Sequence, residues 1–142
     1  MTWIISPENI REHDGPRVGG KGYALALLAR GGFAVPKTLC VTCEAYQAYV
    51  SQTGLRERIL LELNRKAFRD MRWEEIWDCA TRIRNMFLRK PIPGDIATQL
   101  KDAIDATFKG KAVVVRSSAP EEDEATSSFA GLHESYVNIH GT

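Results

Sequence analysis

A run of bulky, mostly β-branched residues at positions 112–115 ends directly in a positive charge, the guanidinium of Arg116. Such a run is typical of a buried strand. Burying a guanidinium without a partner is costly, so an arginine at the end of this strand needs either an anionic ligand or a structural carboxylate. Ser117, Ser118 and a turn of small residues follow it. The sequence therefore predicts a binding or ion-pairing position where the strand ends.

Strand and helix patterns alternate along the rest of the chain. Short apolar runs predict strands at residues 3–5 and 35–42, and another strand is predicted at 134–139. Apolar residues at helical spacing predict four or five helices, one of which carries Trp73 and Trp77 on a face expected to lie in the core. The predicted fold class is mixed α/β (α+β), a small mixed sheet covered by several helices. A chain of 142 residues predicts a single domain.

The overall charge excludes the partners that a strong electrostatic field would attract. Nineteen Lys and Arg residues stand against eighteen Asp and Glu, which leaves a formal net charge of +1. This balance predicts neither a nucleic-acid partner nor an anionic membrane partner. The N-terminal region has no basic stretch leading into an apolar one, and no run reaches the roughly 18 apolar residues of a membrane span. We expect a soluble, cytoplasmic protein.

Two patterns resemble metal-binding sequences, and for both the simpler interpretation is favoured. Cys40 and Cys43 form a CxxC pair, but the histidines are scattered and no second ligand pair follows at zinc spacing. With Cys79 they are predicted to be small, buried or half-buried side chains. The acidic run at 121–124 is expected to be hydrated rather than to hold a cation. No metal ligand is predicted in this chain.

Two glycine-rich segments point to a phosphate ligand. Residues 18–22 read VGGKG, where unhindered backbone amides can face an anion at the start of a helix and Lys21 adds a mobile charge. An ordinary P-loop is disfavoured because Gly22 stands where that motif needs Ser or Thr. Residues 127–131 read SSFAG and offer hydroxyls and amides that could close over phosphates. Together with Arg116, these groups suit a polyphosphate.

Two long segments carry a family resemblance. VGGKGYALALLARGGFAVPKTLCVTCEAY and VVVRSSAPEEDEATSSFAGLHESYVNI resemble the beginning of the ATP-binding domain of the phosphoenolpyruvate synthase and pyruvate phosphate dikinase family. This resemblance implies the N-terminal portion of an ATP-grasp nucleotide-binding domain, with residues 1–142 forming a partial domain truncated on its C-terminal side. It implies that Lys21, Gly20 and Arg116 bind ATP phosphates and that Ser128 and Gly131 belong to a flap near the transferred phosphoryl groups.

The same resemblance implies an ATP-dependent phosphotransferase. Such enzymes pass phosphoryl groups from ATP through a phosphohistidine to pyruvate or another acceptor. The magnesium ligands, the phosphohistidine and the pyruvate site belong to later parts of those proteins. The cofactors implied are therefore ATP and a magnesium ion whose ligands lie outside this chain, and no catalytic residue is expected here. Leu132 also departs from the glutamine that family members often carry.

Alternative interpretations remain at this point. The parent enzyme could be of the rifampicin phosphotransferase type, or the chain could be a freestanding module that binds a nucleotide or phosphate for regulation. In a purely structural alternative, Arg116 pairs with a carboxylate such as that of Glu134, and the glycines only make turns. An unpaired strand edge can also recruit a second copy, so a homodimer is one alternative for the assembly.

Overall fold

A computed structural model of the chain describes residues 2–118 and 134–141. These residues contain five α-helices and four strands, with short 3-10 turns at Pro7–Asn9, Glu12–Asp14 and Phe68–Asp70. The helices are α1 (Gly15–Arg30), α2 (Cys43–Gln52), α3 (Leu55–Leu63), α4 (Trp73–Leu88) and α5 (Gly94–Phe108). The strands are β1 (Ile4–Ile5), β2 (Cys40–Val41), β3 (Val113–Arg116) and β4 (Ser135–Ile139). None of the helices in these ranges is both long and apolar enough to cross a membrane.

The four described strands form two antiparallel pairs. β1 runs antiparallel to β2, and β3 runs antiparallel to β4 with an irregularity between Val113 and Val115. The mixed α/β class predicted from the sequence is confirmed. The described strands form two separate two-stranded sheets rather than one small sheet. An apolar run predicts that a segment is extended but does not identify its partner, which is why the single sheet was expected.

The chain divides into two compact units. The first comprises the described residues of 1–45 and 95–142, and the second comprises residues 46–94. One core cluster of the first unit consists of buried side chains with Ile5 and Tyr23 packed against them: Ile10, Val18, Ala26 and Cys40. This core joins the N-terminal segment, α1 and β2, so it fixes the beginning of α1 against the strand that precedes α2.

Helix α1 ends as its sequence predicts. Gly32 has a φ of 80°, the left-handed conformation that glycine adopts without strain. The Gly32 N–H donates to the carbonyl of Ala29, and the Phe33 N–H donates to the carbonyl of Leu28. This pair of hydrogen bonds is a Schellman motif, which satisfies carbonyls that the helix end would otherwise leave unpaired. Gly31 and Gly32 at the end of an apolar helical pattern predict a left-handed stop, and the structure has it at Gly32.

Strand β3 is extended as predicted but is not buried. Val114 is 57% exposed and Val115 is 50% exposed in the described structure, and Arg116 is also exposed. The prediction of a buried strand at 112–115 is therefore wrong for the part of the chain that is described. β-branched residues favour extended backbone, whereas burial depends on which element covers the sheet, and the local sequence does not contain that information.

The second unit is held by buried polar groups as well as apolar ones. Glu62 is buried and accepts hydrogen bonds from Arg82 Nε at 2.6 Å and from an Arg65 guanidinium nitrogen at 3.3 Å.

Trp73 and Trp77 of α4 are 72% and 60% exposed, so the prediction that both lie in the core is wrong. Helical spacing shows that apolar residues share a face, but it does not show what covers that face.

Candidate functional site

Helix α1 is interrupted inside the VGGKG segment. Gly19 has φ 72° and ψ 168°, a conformation that is essentially restricted to glycine. Helical geometry breaks at this residue and resumes after it. The N–H groups at a helix start have no partner within the helix, so the resumed part of α1 begins with donors that need acceptors from elsewhere.

Ser118, just beyond β3, supplies one of those acceptors. The Gly22 N–H donates to Ser118 Oγ at 3.4 Å, and the same hydroxyl donates to the carbonyl of Val18 at 2.9 Å. A Cβ placed on Gly19 would lie 2.5 Å from Ser118 Oγ and 2.7 Å from the Ser118 carbonyl oxygen. The absence of a side chain at Gly19 therefore permits this close approach. The VGGKG segment and the residues that follow Arg116 are therefore in direct contact.

Lys21 makes a second link between the same segments. Its Nζ donates to the carbonyl oxygen of Ser117 at 3.3 Å. Ser117 directly follows Arg116 in the sequence. The ammonium of Lys21 therefore lies close to the end of β3, where Arg116 stands. Gly20 lies within the interrupted part of α1, between Gly19 and Lys21. Of the sequence-predicted ligands, Lys21, Gly20 and Arg116 thus lie in or beside one contact region.

Arg116 lies at the end of β3, paired through its backbone with Ser135. Its side chain is exposed, and the ion pairs seen within residues 2–118 and 134–141 involve other cations. The predicted flap residues, Ser128 and Gly131, lie outside the described residues, as do Leu132 and the acidic run at 121–124.

An ion-pair network that sequence analysis missed lies directly before the VGGKG segment. Arg17 donates to Asp14 Oδ1 and to Glu44 Oε1, both at 2.7 Å, and the Arg11 N–H donates to Asp14 Oδ2 at 2.9 Å. The hydrogen bonds from Arg11 and then Arg17 hold the pKa of Asp14 below its usual value, and those from Asp14 and then Glu44 raise the pKa of Arg17. No sequence signal links positions 17 and 44. The network ties the start of α1 to the start of α2.

The cysteines are structural in this geometry. Cys40 and Cys79 are buried, and Cys43 is half-buried, which confirms the prediction of small interior side chains. Burial raises the pKa of the Cys40 thiol, and burial followed by the charge of Glu44 raises that of Cys43. No group of three or more His, Cys, Asp or Glu side chains in the described ranges is arranged to hold a metal ion. The donors around Lys21 and Ser118 suit phosphate oxygens rather than a cation.

The first unit also contains an open cleft of about 720 Å³ that is separate from the contact region of Lys21 and Ser118. Neither Lys21 nor Arg116 lines it. Its lining includes Asp14 and Arg17, whose charges are already paired with each other, and apolar side chains such as Ile4. Size alone does not make this cleft the better candidate, because neither of the predicted phosphate ligands, Lys21 and Arg116, lines it.

Comparisons with known proteins agree with the geometry. The family model described as pyruvate phosphate dikinase, AMP/ATP-binding domain, matches residues 15–142. Phosphoenolpyruvate synthase of Neisseria meningitidis serogroup B is 35% identical over 99% of the chain, and that of Pseudomonas aeruginosa is 32% identical over 99%. Rifampicin phosphotransferase of Streptomyces sviceus is 35% identical over 98%. The chain spans 18% of the length of the two synthases and 16% of the phosphotransferase.

Proposed function

Because the chain belongs to the pyruvate phosphate dikinase AMP/ATP-binding domain family, we propose that it binds the phosphate chain of ATP through Lys21, Gly20 and Arg116. The observation that carries this proposal is the contact between Lys21 and Ser117, which brings the VGGKG segment to the end of the strand bearing Arg116. A flexible ammonium and a forked guanidinium complement phosphate oxygens. The start of the resumed helix adds backbone donors and a favourable dipole.

The role proposed for the chain is binding rather than chemistry. Phosphoryl transfer depends on positioning and on neutralising charge, and Lys21 and Arg116 would supply positive charge to the phosphates. Ser128 and Gly131 are proposed to act as a flap over them. The donor set of the described site does not fit magnesium. A magnesium ion bound with ATP is proposed to take its carboxylate ligands from later parts of the whole protein, as the family resemblance implies.

We propose that the whole protein is an ATP-dependent phosphotransferase in which residues 1–142 form part of one ATP-binding domain. It would pass phosphoryl groups from ATP through a phosphohistidine to pyruvate, or to another acceptor if the parent is of the rifampicin phosphotransferase type. We propose that it acts in the cytoplasm. We also propose a homodimer formed through sheet edges that have no partner strand among the described residues, and sedimentation of a pure monomer would refute it.

The proposed function is tested by titrating the chain with a nonhydrolysable ATP analogue and following backbone amide shifts. Shifts are expected at residues 19–22 and at Arg116. Lys21→Met and Arg116→Met should each weaken the affinity by about tenfold or more, since a hydrogen bond to a charged group contributes roughly 1.5–3 kcal/mol. Lys37→Met, which removes an exposed lysine elsewhere, is the matched control and should leave the affinity unchanged. Saturating analogue that shifts none of these amides would refute the proposal.

A further inference from the structure

We propose that Ser118 is a positioning residue for the phosphate-binding segment, and this inference rests on the proposed function. The carbonyl of Val18 and the N–H of Gly22 are separated by four residues, the spacing at which the two groups pair directly in an uninterrupted α-helix. The Ser118 hydroxyl contacts both groups, donating to the first and accepting from the second. It thus occupies the place of a helical hydrogen bond.

The hydroxyl explains where α1 bends. Sharp bends in helices arise where a side chain enters the hydrogen-bond ladder or where glycine relaxes the backbone, and both conditions are met here. Gly19 takes the glycine-specific conformation at the bend, and its missing Cβ leaves room for Ser118. A serine about a hundred residues away in sequence therefore acts as the cap of the resumed helix.

The hydrogen bonds of the Ser118 hydroxyl to Val18 and Gly22 fix the distance between Lys21 and Arg116, the two proposed phosphate-binding side chains. Lys21 directly precedes Gly22, which donates to the Ser118 hydroxyl, and Arg116 lies two residues before Ser118. The Lys21–Ser117 hydrogen bond spans the same two segments, but it depends on a long side chain with many rotamers. The short Ser118 side chain is the stiffer connection. Holding two cations in place before the ligand arrives lowers the ordering cost of binding.

Ser117 provides a matched control for Ser118. In the described residues the Ser117 hydroxyl is buried and has no hydrogen-bond partner, whereas the Ser118 hydroxyl bridges two backbone groups. Replacing either serine with alanine removes the same atom. The Lys21 contact uses the backbone carbonyl of Ser117, which Ser117→Ala retains.

The first arm of the experiment needs no ligand. Amide hydrogen exchange is measured on the wild type, Ser118→Ala and Ser117→Ala under conditions where all three are folded. Ser118→Ala should speed exchange at Gly22 by about fivefold or more relative to a core amide of the same helix, such as that of Ala26. Ser117→Ala should leave this ratio unchanged. A merely structural defect would speed both amides in proportion, and that result would overturn the proposal.

The second arm measures the affinity for inorganic tripolyphosphate and for the nonhydrolysable ATP analogue. Ser118→Ala should weaken both by about fivefold to tenfold, and Ser117→Ala should change neither. Equal affinities of the wild type and Ser118→Ala would overturn the positioning role. If the wild type binds neither probe, the proposed function fails for this chain, and the Gly22 exchange ratio alone decides whether Ser118 positions the segment. Ser118→Cys, with a weaker donor and acceptor, replaces the alanine variant if that variant does not fold, and it should shift both readouts in the same direction.

Discussion

Gly19→Ala tests whether Ser118, just beyond β3, approaches α1 as closely as the structure indicates. An alanine at φ 72° and ψ 168° carries a backbone strain of roughly 1–3 kcal/mol. Its Cβ would also lie 2.7 Å from the Ser118 carbonyl oxygen and 2.8 Å from the carbonyl carbon, so backbone atoms rather than a flexible side chain would have to move. Overpacking of this kind costs about 1–3 kcal/mol. The expected loss in the free energy of unfolding is therefore about 2–6 kcal/mol, the sum of the two costs.

Gly32→Ala separates the two contributions. Gly32 also has a positive φ, 80°, but a Cβ built there meets nothing within 4 Å. Its substitution should cost only the strain of a left-handed residue, about 1–2 kcal/mol. Urea unfolding followed by circular dichroism gives both values at once, with an unchanged m-value showing that the variants lose stability rather than compactness. If Gly19→Ala destabilises the chain no more than Gly32→Ala does, Ser118 does not approach α1 as closely as described.

Two further predictions concern ion pairs in the two units. Arg17→Met should lower the midpoint of thermal unfolding by about 5 °C, because it leaves the buried carboxylate of Asp14 without its guanidinium partner. Arg69→Met, at an exposed position, should change the midpoint little. An equal effect of the two substitutions would contradict the importance of the Asp14–Arg17–Glu44 network. Lys66 is the main cause that lowers the pKa of Glu75 from 4.5 to about 2. The stability from this pair is therefore present above about pH 4.5 and lost as the pH falls through about 2, so the urea midpoints of the wild type and Lys66→Met should differ at pH 6 and converge near pH 2. A difference that stays constant with pH would refute this assignment.

Features that depend on local backbone chemistry were predictable from the sequence. The left-handed stop at Gly32 follows from glycine at the end of an apolar helical pattern. The helix start expected at residues 19–22 was only partly right, because α1 begins at Gly15 and its helical geometry resumes after an interruption at Gly19. The contact between Lys21 and the end of β3 was predictable for a different reason. Both segments carry groups that suit phosphate, and one anion requires them to lie in one place, although the residues involved are 96 positions apart.

Features that depend on covering surfaces were not predictable. Trp77 and Val114 have apolar side chains in regular patterns, yet both are exposed in the described structure. A pattern identifies the face of a helix or a strand, and burial is decided by elements that may be far away in sequence. Arg17 shows the same limit for charges. Its separation from Glu44 is 27 residues, and nothing in the local sequence distinguishes its role from that of a solvated arginine.

The glycines of VGGKG have structural reasons that do not involve a ligand. Gly19 is required because Ser118 occupies the space of its side chain. At Gly22, a Cβ would lie 3.0 Å from Cys40 Sγ and 3.2 Å from the Val18 side chain, so this glycine allows α1 to pack against β2. A glycine-rich segment is usually interpreted as space for a phosphate to approach the backbone. Here at least two of its glycines let other parts of the protein approach instead, and those contacts hold Lys21 in the position from which it would bind the phosphate.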